Sequence, residues 1–242
     1  MRFPGRLFAA VAVLPVMAVS DVQAQLGTNL ITNPDAEAGP CSTNTAGSEI
    51  VPVPGWVVTT GGFTCTVYGT GDFPTATDPG PASRGDNFFN GGPTTLSNGR
   101  QTIDLGSFVP DIDSGALSFT LSGWLGGFST QGDFAQLFAR FLDISNTELG
   151  VFSIGPVTTA DRLSQTGLLF QSFVGAVPVG SRSVQLDLEM TRLQGLSNDG
   201  YGDNLSLVLN SSTVPEPLSV VLLSTGLAGL VGVARRRKST SV

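Results

Sequence analysis

Histidine is absent from the 242 residues, and lysine occurs once, as Lys238. Without histidine, the catalytic triads that rely on it cannot form, and no cysteine thiolate has an imidazole to partner it. Cysteine, tryptophan and tyrosine occur only twice each, and charged residues make up 13% of the chain. The residue types that most active sites need are scarce, and the sequence predicts that the protein is not an enzyme.

Positive charge is also scarce. Residues 25–213 contain 17 acidic side chains against six arginines. This acidic excess repels nucleic acid and anionic membrane surfaces, so neither is an expected partner. Asp187 and Glu189 alternate with apolar residues along a predicted strand and are expected to be solvated on its exposed face. No spacing of acidic residues singles out the two carboxylates that a glycan hydrolase would direct into one cleft.

The N-terminus has the pattern of a secretory signal peptide. A positively charged start, with Arg2 and Arg6, precedes an apolar run over residues 7–19 and a small-residue site that ends at Ala24. This pattern predicts cleavage after Ala24 by signal peptidase. Residues 1–24 are therefore not expected to be part of the fold.

The last segment of the chain, residues 214–242, has three parts in a fixed order. A Val-Pro-Glu-Pro tetrapeptide is followed by 17 apolar residues, 218–234, and then by a basic cluster. As a helix at about 1.5 Å per residue, the apolar part would cover roughly 25 Å of a bilayer core about 30 Å thick. The basic cluster holds its end in the cytoplasm. We therefore predict one transmembrane helix over residues 218–234, with residues 25–213 outside the inner membrane.

This tail resembles the PEP-CTERM sorting signal of exported proteins in Gram-negative bacteria that make exopolysaccharide. The residues that carry the resemblance are Val214, Pro215, Glu216, Pro217, Arg235, Arg236 and Arg237. The resemblance implies that an exosortase, a transpeptidase of the inner membrane, recognises the tail and cuts near the Pro-Glu-Pro. It also implies an inner-membrane-anchored precursor and a mature protein at the cell surface or outside the cell. An ordinary tail anchor is the alternative.

Residues 25–213 have the composition of an all-β domain. They are rich in glycine, threonine, serine and phenylalanine, and turn-forming residues recur about every ten positions, which predicts a sandwich or barrel of about ten strands. Residues 184–190 and 205–209 alternate apolar and polar side chains, which is typical of half-buried strands. Residues 29–39 are predicted to begin with a strand, and residues 61–62 to form a hairpin turn between two strands.

Three short motifs resemble galactose-binding-like jelly rolls and the related carbohydrate-binding modules. They are the opening Asn-Leu-Ile-Thr-Asn-Pro at residues 29–34, the pair Gly-Trp at residues 55–56, and the closing Gly-Asp-Asn-Leu-Ser-Leu at residues 202–207. The resemblance implies a jelly-roll β-sandwich. It also implies a structural calcium ion where the first and last strands meet, held by Glu37 and Asp203 together with backbone carbonyls. The alternative is that these two carboxylates accept hydrogen bonds from turn amides.

A sugar site in such a domain needs an aromatic platform and planar polar groups at one rim. The first candidates for this site are Trp124, Phe128, Gln131 and Asp133. Trp56 with Tyr68 is the second candidate. Either tryptophan would also fit a core position, because its surroundings resemble those of a strand.

Cys41 and Cys65 are predicted to form a disulfide, since a signal peptide delivers the chain to an oxidising compartment. Closing a loop of about 25 residues stabilises a fold by about 3 kcal/mol on the chain-entropy model.

Together these features predict an exported, non-catalytic protein of the cell surface or extracellular matrix that contacts exopolysaccharide through a jelly-roll domain. Two alternatives stay open. One is a purely structural surface protein without a small ligand, and the other is a glycan hydrolase.

Overall fold

The computed structural model describes residues 25–212. Its strands are β1 (Val57–Thr60), β2 (Thr64–Val67), β3 (Asn87–Asn90), β4 (Leu96–Asp104), β5 (Leu117–Gly127), β6 (Phe134–Leu142), β7 (Glu148–Ile154), β8 (Gly167–Ala176), β9 (Ser183–Thr191) and β10 (Tyr201–Ser211). A 3₁₀ turn, Gly106–Phe108, and the short helix α1, Val109–Asp113, connect β4 to β5. The predicted signal peptide, the sorting motif and the apolar run of residues 218–234 lie outside the described residues. Within residues 25–212, no helix is long and apolar enough to cross a membrane.

Two five-stranded antiparallel sheets form a β-sandwich, so the all-β prediction is confirmed. The front sheet has the order β1-β4-β9-β6-β7, and the back sheet has the order β2-β3-β10-β5-β8. Within β3 to β10, the order β3-β10-β5-β8 faces the order β4-β9-β6-β7. This interleaving of early and late strands is the order expected of a jelly roll, with β1 and β2 added at the edges.

The core lies between the sheets and follows from strand alternation. Successive side chains of a strand point to opposite faces, so every second residue of β5 and β9 is directed inward. Leu117, Phe119 and Leu121 of the back sheet are at most 2% exposed, and Leu186 of the front sheet is fully buried. The Phe119 ring packs against the Phe141 ring of β6, with 4.9 Å between the ring centroids, and this contact joins the two sheets.

The predicted hairpin at residues 61–62 is wrong. β1 pairs with β4 in the front sheet, whereas β2 pairs with β3 in the back sheet. The chain crosses between the sheets at this point and carries Phe63 into the core. A side chain at Gly99 would collide with the Phe63 ring, so the crossing depends on the glycine.

The strand predicted at the start of residues 29–39 is also not found. One isolated bridge joins Asn29 to Val208 of β10, and the rest of the segment consists of turns. Asn33 and Ala36 have φ of 48° and 61°, which interrupts extended structure. Hydrogen bonds from Gly27 and Leu30 to the carbonyls of Leu209 and Leu207 hold the segment along the last strand.

The predicted disulfide between Cys41 and Cys65 is confirmed, with the two Sγ atoms 2.00 Å apart. The backbone beside it makes two further links to β2. The Ser42 amide donates to the Cys65 carbonyl, and the Val67 amide donates to the Ser42 carbonyl. The segment before β1 is thereby fixed to the edge of the back sheet.

Candidate ligand cavity

A second group of buried side chains lies on the outer face of the back sheet, away from the core. We call it the outer aromatic cluster, and its members are Tyr68, Phe73, Phe88, Trp124, Phe128, Leu168 and Tyr201. The Phe88 ring centroid is 5.2 Å from that of Tyr201 and 5.9 Å from that of Phe73. β3 therefore buries both of its faces, because Phe89 enters the core while Phe88 enters the cluster.

The loop of residues 69–86, between β2 and β3, supplies Phe73 to this cluster. The loop contains three prolines and has no periodic pattern. Its conformation is held by the Arg84 guanidinium, which donates at 2.7 to 3.0 Å to the carbonyl oxygens of Thr75, Asp78 and Pro81. Hydrogen bonds to a charged donor are stronger than neutral ones, so a single arginine can fix an otherwise irregular segment.

A cavity of about 280 Å³ adjoins the cluster at one end of the sandwich. Part of its wall is aromatic and part is polar. The lining includes Asp72, Phe73, Phe128, Gln131, Asp199 and Tyr201. Ligand cavities commonly measure roughly 300–1,000 Å³, so this one is suited to a group of about one ring.

A buried carboxylate fixes the wall formed by the connection between β9 and β10. Asp133 is 1% exposed. At 2.7 to 3.0 Å, its two oxygens accept the backbone amides of Leu193, Gln194 and Asp199. The sequence predicts Asp133 as a ligand-binding residue. The structure puts it behind the wall, where it holds in position a loop that reaches the cavity.

A buried cation fixes the part of the wall that contains Gln131. Arg162 is 4% exposed and donates to the carbonyl oxygens of Ser129 and Gln131 at 3.0 and 3.1 Å. Thr159 Oγ1 donates to the same Gln131 carbonyl at 2.8 Å. The backbone of Gln131 is therefore anchored, and its side chain is left to line the cavity.

The polar part of the cavity is rich in acceptor atoms. Tyr201 is fully buried and donates through its hydroxyl to Asp199 Oδ1 at 3.0 Å. Burial raises the pKa of Asp199 to about 6; the Tyr201 hydrogen bond opposes this rise, and the charge of Asp133 adds to it. Gln131 Oε1 is buried and has no hydrogen-bond partner within residues 25–212. A buried acceptor left unpaired costs about 1–3 kcal/mol. Because Oε1 itself is inaccessible, a ligand donor would relieve this cost only after the Gln131 amide rotates toward the cavity.

The predicted sugar residues are only partly brought together. Gln131 and Phe128 line the cavity. Trp124 belongs to the adjoining cluster, half-buried, and its ring centroid is 5.8 Å from that of Phe170. Trp56 is a core residue, 7% exposed, whose indole N–H donates to the Asn33 carbonyl at 3.0 Å. Sequence reasoning did not identify Asp199 or Tyr201, because the Asn-Asp-Gly sequence before β10 is indistinguishable from an ordinary turn.

The two predicted calcium ligands lie within electrostatic range of each other. Asp203 is fully buried. Burial raises its pKa to about 8; hydrogen bonds from the Tyr68 hydroxyl and the Asn204 amide oppose the rise, and the charges of Asp35 and Glu37 add to it. A cation would relieve this concentration of negative charge.

Both carboxylates nevertheless have protein donors. Glu37 accepts the amides of Asp86 and Asn87 and the Asn87 side chain at 2.7 to 3.0 Å. Asp203 accepts the Tyr68 hydroxyl and the Asn204 amide, both at 2.7 Å. Among residues 25–212, no group of three or more histidine, cysteine, aspartate or glutamate side chains is placed to hold a metal ion. Calcium binding stays a prediction.

The outer face of the front sheet differs from the sequence prediction at Asp187. This carboxylate is fully buried, whereas Glu189 two residues later is 44% exposed. Arg100 donates to both Asp187 oxygens at 2.6 and 3.1 Å, and Arg140 donates to one of them at 3.2 Å. Burial alone would raise the pKa of Asp187, but the hydrogen bonds from Arg100, Asn98 and Arg140 outweigh it and hold the pKa below its usual value. Strand register, with Arg100 directly opposite Asp187, creates this network.

No family model matches the chain, and no curated protein matches its sequence. Solved structures are similar only at low identity. The enzymatically active domain of a tailspike protein of bacteriophage CBA120 has 17% identity and a TM-score of 0.44 over 75% of this chain and 21% of that chain. A Stig cyclase from Fischerella sp. TAU has 15% identity and a TM-score of 0.48 over 78% of this chain and 100% of that chain.

The CBM22-1 xylan-binding domain from Paenibacillus barcinonensis has 14% identity and a TM-score of 0.38 over 70% of this chain and 94% of that chain. The chain spans only about a fifth of the tailspike chain. At TM-scores below 0.5, these likenesses decide neither a family nor an activity for this protein.

Proposed function

We propose that the chain is an exported, non-catalytic protein of the cell surface or extracellular matrix whose sandwich domain binds one residue of an exopolysaccharide in the cavity beside Tyr201. The observation that carries the proposal is the acceptor Gln131 Oε1. It is buried, belongs to a residue of the cavity wall and has no hydrogen-bond donor within residues 25–212.

The cavity matches the two surfaces of a sugar ring. A sugar has an apolar C–H face and a rim of hydroxyl donors. The three aromatic rings of the wall suit the first surface, and the acceptors of Gln131 and Asp199 suit the second. Asp72 lies in the same wall, so its charge and that of Asp199 would repel a uronic acid at neutral pH. A neutral or amino sugar is therefore the favoured ligand.

Calorimetric titration of the exported protein with fragments of the host exopolysaccharide tests the proposal. Gln131→Ala removes the unpaired acceptor and should raise Kd by about five- to tenfold, because one hydrogen bond is worth about 1 kcal/mol. Gln185→Ala is the matched control: it removes another partly buried glutamine, on the front sheet, and should leave Kd unchanged. Equal binding by both variants would contradict glycan binding in this cavity. No binding to any glycan would favour a purely structural surface protein.

We also propose that signal peptidase removes residues 1–24 and that an exosortase processes the tail. The support is the sequence pattern: a rigid Pro-Glu-Pro, a short apolar run and a basic cluster. Replacing Pro215-Glu216-Pro217 with alanines should leave an uncut precursor in the inner membrane. Deleting the basic cluster should release or misplace the full-length protein. If the alanine variant matures to the same C-terminus in an exosortase-bearing host, a plain tail anchor is the better interpretation.

A structural calcium ion at Glu37 and Asp203 is a further part of the proposal. Its support is the family resemblance together with the negative charge that Asp35 and Glu37 add around Asp203. An ion bound only by the folded state should raise Tm in millimolar calcium by mass action. Asp203→Asn should abolish that rise. Identical melting curves with calcium and with a chelator would reject the ion.

A glycan hydrolase is the second candidate, and one observation favours it. Asp72 and Asp199 line the same cavity, and Asp199 has a pKa raised to about 6, which suits a general acid near neutral pH. Incubation with the exopolysaccharide, followed by an assay for new reducing ends, separates the candidates. Release that is lost in both Asp72→Asn and Asp199→Asn would establish the hydrolase and overturn the non-catalytic proposal.

A further inference from the structure

β8 is the longest free edge that the described residues form. The two sheets end in β1 and β7 at the front and in β2 and β8 at the back. β8 has ten residues, against seven in β7 and four each in β1 and β2. It pairs with β5 over its whole length without a register shift. On its other side the Leu168 amide donates to the Pro79 carbonyl at 2.8 Å. From there to Ala176, the edge presents a row of backbone donors and acceptors about 27 Å long, at ~3.4 Å per residue.

Beyond Leu168, where the 69–86 loop covers the edge through Pro79, the usual protections of an edge strand are missing from β8. Natural edges carry lysines, prolines, bulges or other charges that discourage pairing with another chain. Between Arg162 and Arg182, the sequence has no charged residue at all. Phe170 and Val174 project from the outer face and are 54% and 65% exposed. By contrast, the pairing of β1 with β4 contains an irregularity of the β-bulge type, and so does that of β7 with β6.

We propose that β8 is the interface through which two copies of this chain associate, each adding its β8 antiparallel to the other's. An antiparallel edge is complementary to itself, so one two-fold axis through the middle of β8 satisfies both strands. The two back sheets would then continue as one sheet of ten strands.

The charge distribution favours a second copy as the occupant. Residues 25–213 carry 17 acidic side chains and six arginines, so two copies repel each other over most of their surface. The uncharged stretch around β8 is where they can approach without that repulsion. Pairing would also remove Phe170 and Val174 from water, which favours association.

Sedimentation velocity of the exported protein over a range of concentrations tests the interface. The wild type should pass from monomer to dimer as concentration rises. Val174→Lys puts two charges near the two-fold axis and should raise the dimer Kd by about tenfold or more. Val57→Lys is the matched control. Val57 is also 65% exposed, but it lies on β1, an edge strand of the other sheet.

A cysteine placed in β8 provides a second measurement. Both native cysteines are bridged, so an introduced thiol is the only one available for pairing between described domains. Under mild oxidation, Ser172→Cys should give a disulfide-linked dimer, whereas Thr59→Cys on β1 should give far less. A wild type that stays monomeric at every concentration, or equal behaviour of the β8 variants and their β1 controls, would overturn the proposal. A dimer broken by Val57→Lys instead would move the interface to the other edge.

Discussion

Strand alternation directs side chains to the outer face of each sheet, and the two outer faces bury those side chains in different ways. On the back sheet, Phe88 and Tyr201 are fully buried by packing that includes Phe73 of the 69–86 loop, and a cavity lies beside them. On the front sheet, Asp187 is fully buried by Arg100 and Arg140, whose side chains stay 35% and 29% exposed. On the back sheet, the loop that connects β2 to β3 encloses an apolar cluster beside a cavity that a ligand can enter. On the front sheet, two arginines on neighbouring strands fill the space around one carboxylate.

Phe88→Ala should have the largest effect, because it tests whether the back face is a second core. Truncating a fully buried phenylalanine costs about 3–5 kcal/mol through lost burial and the cavity that remains. Phe170→Ala, at a position 54% exposed, should cost far less. Urea unfolding measures both free energies of unfolding. A loss below about 1 kcal/mol for Phe88→Ala would mean that the loop does not enclose the cluster in solution.

Asp199→Asn should change how stability depends on pH. The pKa of Asp199 is about 6 in the folded protein and 3.8 ordinarily, so the folded state binds its proton more tightly than the unfolded state. The stability this proton gives is present below pH ~4 and is lost as pH rises through ~6, a loss of about 3 kcal/mol. Asparagine stays neutral and still accepts the Tyr201 hydroxyl. Between pH 4 and pH 7, the free energy of unfolding of the variant should therefore rise by about that much relative to the wild type. If the difference between the two proteins does not change with pH, Asp199 is not enclosed as described.

Asp187→Asn tests the front face and should have a smaller effect. Removing one partner of a buried ion pair is costly, but Arg100 and Arg140 can return to water, so we expect about 1–2 kcal/mol. Because the folded pKa of Asp187 is depressed, its contribution is present above the ordinary carboxyl pKa and disappears as pH falls below it. The cost should accordingly shrink in acid. Glu189→Gln, at a carboxylate 44% exposed, is the control and should be nearly neutral.

Most of the strands could be predicted from the sequence because their signal is local. Alternation over residues 184–190 and 205–209 identifies β9 and β10. The assignment of strands to sheets could not be predicted in the same way. β1 and β2 are separated by three residues, and the glycines between them fit a hairpin as well as a crossing. Whether the chain forms a hairpin or crosses to the other sheet depends on where Phe63 can be buried, and that depends on the packing of the whole fold.

The cavity was harder to predict because its parts come from separate segments. The sequence predicts Gln131 as a sugar-site candidate, but Phe73, Asp199 and Tyr201 join it only where three connections meet at one end of the sandwich. The burial of Asp187 also depends on separate segments. Its position alternates like that of a solvated residue, and only the register of β4 and β6 brings two arginines to it.

The amide chemical shifts of the exported protein, recorded with and without fragments of the host exopolysaccharide, test the central claim most directly. Amides of the front and back sheets give separate signals, so one experiment measures both faces. The account predicts shifts concentrated in residues 128–131 and 193–199, around the cavity, with the amides of β4 and β9 on the front sheet unchanged. Shifts confined to the front sheet, or none anywhere, would contradict it.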